Sequence, residues 1–97
     1  MSTKLLFSSA PYIGGMSKKK EEKTKLRMYD SQIDAIRQLR WIREMNGLTQ
    51  EDVAKKMGIT NFYVSRIENG KIVLRMSTLR RYALACGAKI SFAVSEA

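Results

Sequence analysis

Apolar residues recur at every third position along one stretch of the chain, from residue 33 to residue 45. This spacing places them along one side of a helix. Ser31, followed three residues later by Asp34, resembles a capping box and predicts that the helix starts there. Asn46-Gly47 predicts its end, because these residue types tolerate the left-handed conformation that closes a helix. The apolar stripe consists of Ile33, Ile36, Leu39, Ile42 and Met45.

Start and stop signals predict three shorter helices after the first, at residues 49–57, 60–69 and 77–87. A hydroxyl residue opens each of them and a glycine closes each. Beyond them, residues 90–95 alternate between apolar and polar side chains, which is typical of a strand. The sequence therefore predicts an all-α bundle of four to five helices with a helix-turn-helix, plus a short C-terminal β-strand.

Residues 1–29 differ from the rest because they show no apolar periodicity. Ser, Gly and Pro are scattered through residues 1–17, and residues 18–23 are all charged. Such a segment cannot bury enough surface to offset its ordering entropy. We therefore expect a disordered basic arm over 1–29, with Met16 as an alternative start. The helix-turn-helix domain then spans 30–88, and the strand and tail span 89–97.

The charge balance indicates the class of partner. The 97 residues include 18 Lys and Arg against 9 Asp and Glu, a net charge of +9. Such a surplus on one small domain favours a polyanion, either nucleic acid or an acidic membrane surface. With no His and one Cys, zinc fingers, His/Cys metal sites and His-based triads are excluded. We expect no enzyme activity, cofactor or metal. No apolar run reaches about 18 residues, so we expect a cytoplasmic protein.

Only Gly58-Ile59 separates the second predicted helix from the third, as in a helix-turn-helix unit. Helical periodicity puts Val64 and Ile67 on the buried side of the third helix. The opposite side suits a DNA major groove, where Arg binds guanine, Asn binds adenine and an aromatic ring contacts the thymine methyl group. A solvated helix face is the alternative, but an exposed Phe62 favours a partner. The predicted base-reading residues are Asn61, Phe62, Ser65 and Arg66.

Residues 42–59 and 65–71 resemble the lambda/Cro-type (XRE) repressors, whose pattern includes Gly-Leu-Thr-Gln and Ser-x-Ile-Glu-x-Gly. The resemblance implies a lambda-repressor-like fold and an ion pair between Arg43 and Glu68 that orients the recognition helix. It also implies that Gln50 and two residues just after that helix hold DNA phosphates. We add three neighbouring residues as further phosphate contacts. For one of them, Arg75, the alternative is a side chain that contacts only solvent. The predicted phosphate contacts are Gln50, Thr60, Tyr63, Asn69, Lys71 and Arg75.

The C-terminal part, residues 74–90 with the alternating segment after it, resembles the HigA- and HipB-type antitoxins of bacterial toxin–antitoxin operons. The resemblance implies that the strand, with Ile90, Phe92 and Val94, pairs with its twin and closes a homodimer. Self-pairing would satisfy backbone groups that a lone strand leaves unpaired. The implied partners are a palindromic double-stranded DNA operator and a cognate toxin, with no membrane and no small-molecule substrate. The resemblance also implies a bacterial, nucleoid-associated protein. A phage-type or stand-alone repressor and a protein-interaction module are the alternatives.

Overall fold

The computed structural model describes residues 16–97, so residues 1–15 of the predicted arm lie outside the described residues. Four helices follow one another along the chain: α1 (Lys18–Met45), α2 (Gln50–Met57), α3 (Asn61–Glu68) and α4 (Met76–Ala85). The mainly helical architecture with a helix-turn-helix is thereby confirmed. Over residues 16–97, no helix combines the length and the apolar character that a membrane span needs.

Helix α1 begins at Lys18, well before the predicted cap at Ser31. The Ser17 hydroxyl accepts a hydrogen bond from the Lys20 N–H at 3.1 Å and so caps the helix. The prediction of a disordered arm is therefore wrong for residues 18–29. None of these residues is buried, so their helix leaves no apolar stripe in the sequence. Lys and Glu favour helix by intrinsic propensity, and this segment continues a helix that is packed further on.

Local capping motifs start α2 and α3 at the predicted residues. The Thr49 hydroxyl accepts from the Asp52 N–H at 3.0 Å, while the Asp52 carboxylate accepts from the Thr49 N–H at 2.8 Å. This reciprocal capping box also lowers the pKa of Asp52, through its hydrogen bonds with Thr49. Gly58 ends α2 with a φ of 69°, in the left-handed region. The Thr60 hydroxyl then accepts from the Tyr63 N–H at 3.0 Å and caps α3.

Helix α4 begins at Met76, slightly before the predicted cap at Ser77-Thr78. Arg75 is the N-cap and provides no side-chain cap; its carbonyl accepts the first hydrogen bond of the helix, from the Leu79 N–H at 3.0 Å. The helix ends near Gly87, as predicted, and the Asn46 side chain donates to the Cys86 carbonyl at 2.9 Å. That bond joins the C-terminal ends of α1 and α4.

The hydrophobic core lies where the second half of α1 meets the three short helices. Within α1 only Ile36, Leu39 and Arg43 are buried, so the first half of this helix extends beyond the core. The short helices contribute most of the remaining core residues. These are Val53, Ala54, Met57, Val64, Ile67, Leu79, Tyr82, Ala83, Ala85 and Cys86.

The predicted C-terminal strand is not formed in the single chain. Residues 88–97 form no regular element, and the part of the chain from residue 16 onward contains no strand. Ile90 packs partly against the core, whereas Phe92 and Val94 are exposed. Apolar alternation describes which side chains can be buried, but a strand exists only where a second strand pairs with it. A single copy of the chain offers this segment no such neighbour.

Candidate nucleic-acid interface

The outward face of α3 carries all four predicted base-reading residues. Asn61 and Phe62, in the first turn, are exposed, and 69% of the Phe62 surface is accessible. Ser65 and Arg66, one turn further, are half-buried. The buried face of the same helix holds Val64 and Ile67 in the core. These two burial patterns follow directly from the helical period, and they leave a row of polar and aromatic groups open to a partner.

The side chains of this face are ordered by contacts with each other and with the following turn. The Arg66 guanidinium donates to the Lys71 carbonyl at 3.3 Å. Its central carbon lies 5.6 Å from the centre of the Phe62 ring, over the ring. The Asn69 amide donates to the Ser65 hydroxyl at 3.3 Å. The face therefore contains two pairs of interacting side chains, Phe62 with Arg66 and Ser65 with Asn69.

The predicted phosphate contacts lie around this face, at helix ends and in the connector between α3 and α4 (residues 69–75). Asn69 and Lys71 are exposed just after α3, and Arg75 is exposed at the start of α4. Thr60 is also exposed and has its hydroxyl engaged as the cap of α3, while Tyr63 packs partly against the core. Lys71 and Arg75 supply positive charge for a phosphate, whereas Thr60 and Tyr63 offer only hydrogen-bonding groups.

Gln50 occupies the first position of α2, but its side chain points to a carboxylate. Its amide donates to Glu68 Oε1 at 3.0 Å. The side chain is thus engaged within the protein. The group at this position that suits an anion is the backbone N–H at the N-terminus of α2, where the helix dipole is positive.

A buried polar cluster, formed by Arg43, Gln50, Glu68 and Tyr82, fixes the C-terminal end of α3. Arg43 donates to both oxygens of Glu68, at 2.7 and 3.0 Å. Tyr82 donates to Glu68 Oε2 at 2.6 Å, in addition to the Gln50 bond. Arg43 also donates to the Leu48 carbonyl at 2.8 Å. The Glu68 side chain has no exposed surface. Its partners lie on α1, α2 and α4, so all four helices meet at this one carboxylate.

Electrostatics in this buried polar cluster keep Glu68 charged. Burial by itself would raise the pKa of Glu68, but hydrogen bonds from Arg43, Tyr82 and Gln50 hold it below its ordinary value. Burial likewise works against the charged form of Arg43, and its hydrogen bond and charge interaction with Glu68 more than compensate and raise its pKa. Burial and the bond to Glu68 raise the pKa of Tyr82, which therefore stays a hydrogen-bond donor.

Sequence reasoning missed two residues that position this interface. Helical periodicity places Tyr82 on the buried side of α4, and nothing in the local sequence indicates that its hydroxyl reaches α3. Arg81 donates to the Met57 carbonyl and so joins α4 to the end of α2. A basic residue opposite a helix C-terminus is a recognisable signal, but the pairing between distant helices is not visible in the sequence.

Comparison with known families agrees with this geometry. A family model described as helix-turn-helix matches residues 39–92, more than half of the chain. Comparisons with curated proteins and with solved structures gave no match. The matched residues contain the buried polar cluster and the whole outward face of α3. The chain belongs to the lambda/Cro-type (XRE) helix-turn-helix family and is a DNA-binding transcription regulator.

Proposed function

We propose that the protein is a sequence-specific repressor that binds a palindromic operator as a homodimer and acts by binding, without catalysis. One observation carries the proposal: the outward face of α3 exposes Phe62 and leaves Arg66 half-exposed, while the buried polar cluster holds the same helix at Glu68. A recognition helix needs both features, since base edges are read only by side chains held in a defined orientation.

The contacts divide into two kinds. Backbone phosphates would be bound around the face by Lys71 and Arg75, by Asn69, and by the N-terminus of α2. These contacts set the register of the protein on DNA and carry no sequence information. Bases would be read by Asn61, Phe62, Ser65 and Arg66. The net charge of +9 supports the first kind, and the mixed chemistry of α3 supports the second.

Homodimer formation is supported by an apolar groove whose lining includes no residue of α3. The groove has a volume of about 500 Å³ and lies between the first half of α1, the connector and the C-terminal segment. Met28, Met76 and Phe92 line it and are each more than half exposed. In a two-fold dimer, the segments with Ile90, Phe92 and Val94 would pair with each other and cover these side chains. Two recognition helices about 34–36 Å apart would then fit a palindrome.

We further propose that the protein is the antitoxin of a type II toxin–antitoxin operon, which represses its own promoter and neutralises a cognate toxin. The resemblance of residues 74–90 to HigA- and HipB-type antitoxins supports this role. The first half of α1 also offers a separate surface, since Leu26 and Tyr29 are exposed among lysines. A partner could be held there while α3 remains on DNA. A stand-alone repressor without a toxin is the second candidate.

The DNA proposal is tested by fluorescence anisotropy with the full chain near 150 mM salt. One duplex is the DNA upstream of the gene, and the other is a scrambled duplex of equal length. We expect a preference of at least about 10³-fold, with two protomers per duplex. Equal, weak and strongly salt-dependent binding to both duplexes would overturn the proposal of a sequence-specific repressor. It would favour a protein-interaction module in which Phe62 enters a protein groove.

The antitoxin role is tested separately, by co-expression with the product of the neighbouring gene. Growth should be arrested by that product alone and restored by the full chain. A Leu26→Asp/Tyr29→Asp variant should lose the rescue while keeping operator binding. A neighbouring product that is harmless, or that the full chain fails to neutralise, would leave the stand-alone repressor as the function.

A further inference from the structure

We infer that Phe62 and Arg66 read one dinucleotide step together: a guanine next to a pyrimidine that carries a 5-methyl group. This inference rests on the proposed function, since it requires α3 to enter a major groove. It defines the substrate more narrowly, as duplex DNA with a thymine–guanine or 5-methylcytosine–guanine step in each half of the binding site.

The two side chains already form a unit in the free protein. They are four positions apart on α3 and so lie on successive turns of the same helix face. The central carbon of the Arg66 guanidinium is 5.6 Å from the centre of the Phe62 ring, within the range of a cation–π contact. Phe62 nevertheless keeps 69% of its surface exposed. The ring can therefore hold the guanidinium and still contact a base.

A second contact holds the guanidinium from the side of the connector. Arg66 donates to the Lys71 carbonyl at 3.3 Å. A guanidinium has five N–H donors, so this bond leaves the two parallel donors that guanine O6 and N7 require. A side chain held by a ring and by a carbonyl has less rotamer freedom to lose on binding than a free arginine.

The position of the ring beside the guanidinium determines which neighbour of the guanine is read. A guanidinium that binds guanine through two hydrogen bonds lies in the plane of that base. A ring that faces the guanidinium, with its centre 5.6 Å from the central carbon, therefore lies on the side of the next base pair, about 3.4 Å along the strand. Phe62 provides that ring. The feature it can contact in the major groove is the 5-methyl group of thymine. 5-Methylcytosine has the same group, whereas uracil and cytosine lack it.

The experiment begins with selection of duplexes from a random library by the full-length protein, which requires no knowledge of the operator. Each half of the selected site should contain a guanine with an adjacent thymine. Replacing that thymine by uracil removes one methyl group and leaves the base pair intact. Wild-type affinity should fall about fourfold, the equivalent of one buried methyl group. The Phe62→Ala variant should bind the thymine and uracil duplexes equally.

A matched aromatic truncation outside α3 serves as the control. Trp41 on α1 is 61% exposed, and Trp41→Ala should keep the fourfold ratio of the wild type. Both aromatic side chains are mostly exposed, so thermal melts should show the two variants folded. Arg66→Ala should lose roughly 5- to 150-fold of the preference for guanine.

Two failures are distinguishable in this design. A selected motif without a guanine–methylpyrimidine step overturns the inference and leaves the repressor proposal standing. The same conclusion follows if the Phe62→Ala variant still binds the uracil duplex more weakly than the thymine duplex. If no sequence is enriched at all, the proposed function itself fails.

Discussion

At the scale of single residues, the carboxylate of Glu68 determines how the recognition helix is held. It is fully buried and accepts hydrogen bonds from residues of three other helices. A buried ion pair adds little net stability, because desolvation offsets much of the attraction. Removing one partner, however, leaves an uncompensated buried charge. The buried polar cluster therefore acts mainly by imposing one orientation on α3.

The Tyr82 hydroxyl gives a direct test of this view. Tyr82→Phe keeps the buried ring and removes only the donor at 2.6 Å from Glu68. A hydrogen bond to a charged group contributes about 1.5–3 kcal/mol, and we expect the free energy of unfolding in urea to fall by about that amount. Tyr29→Phe makes the same chemical change at an exposed position and should leave stability unchanged. Equal stability of the two variants would show that the Tyr82 bond contributes nothing.

Acid should weaken the fold through the same carboxylate. The folded state holds the pKa of Glu68 below its ordinary value, which is about 4.3 in an unfolded chain. Its contribution to stability is therefore complete above that value and is lost as the pH falls through the lower, folded pKa. Glu68→Gln does not titrate and should be less stable than the wild type at pH 7. The difference between their unfolding free energies should narrow as the pH falls from about 5 to 3. A constant difference would contradict the claim that Glu68 is charged in the folded state.

What the sequence predicted about these residues depends on the range of the interaction. The burial of Val64 and Ile67 and the exposure of Phe62 follow from the helical period alone. The Arg43–Glu68 pair came from a family resemblance. The Tyr82 bond to Glu68 was not predictable, since it joins positions 14 residues apart through a packing angle that no local pattern encodes.

At the scale of elements, α1 consists of two halves with different roles. Its second half supplies Ile36, Leu39 and Arg43 to the core and the buried polar cluster. In its first half, residues 18–31, no side chain is buried. An isolated helix of this length is marginal in water, so its helicity depends on continuity with the packed half.

Proline substitutions in the two halves should therefore have different effects. Thr24→Pro should remove helical signal in circular dichroism and leave the melting temperature of the domain nearly unchanged. Gln38→Pro, at an exposed position beside the core residue Leu39, should destabilise the domain by about 3 kcal/mol or more. A large loss of stability from Thr24→Pro would show that the first half of α1 packs against something that stabilises the fold.

The same division explains which elements the sequence predicted correctly. Helices α2 and α3 start at capping residues whose hydrogen bonds span only three positions, so the signal is contained in the sequence itself. Apolar periodicity reports burial rather than helicity, and it therefore missed residues 18–29. The alternation of residues 90–95 likewise records which side chains can be buried. It contains no information about whether a second strand lies beside them.

At the scale of the whole molecule, the apolar groove and the face of α3 involve separate sets of residues. Met28, Met76 and Phe92 line the groove, and none of them belongs to α3. A second protomer or a toxin at the groove side would therefore leave the base-reading residues free. This separation is what a regulator requires if it is to bind DNA and a protein partner at the same time.

Salt dependence measures how the whole dimer meets DNA. About six neutralised phosphates per dimer predict a slope near −5 for log K against log [salt], because each releases about 0.9 counterion. Lys71→Ala removes one cation from each protomer, so the slope should become shallower by about 1.8, and binding should weaken equally on operator and random duplexes. Asn69→Ala removes a neutral contact at the same edge and should weaken binding with the slope unchanged. Lys71 would be excluded as a phosphate contact if its variant kept the wild-type slope. The lysines of residues 18–25 in α1 would then be the next candidates for the phosphate contacts.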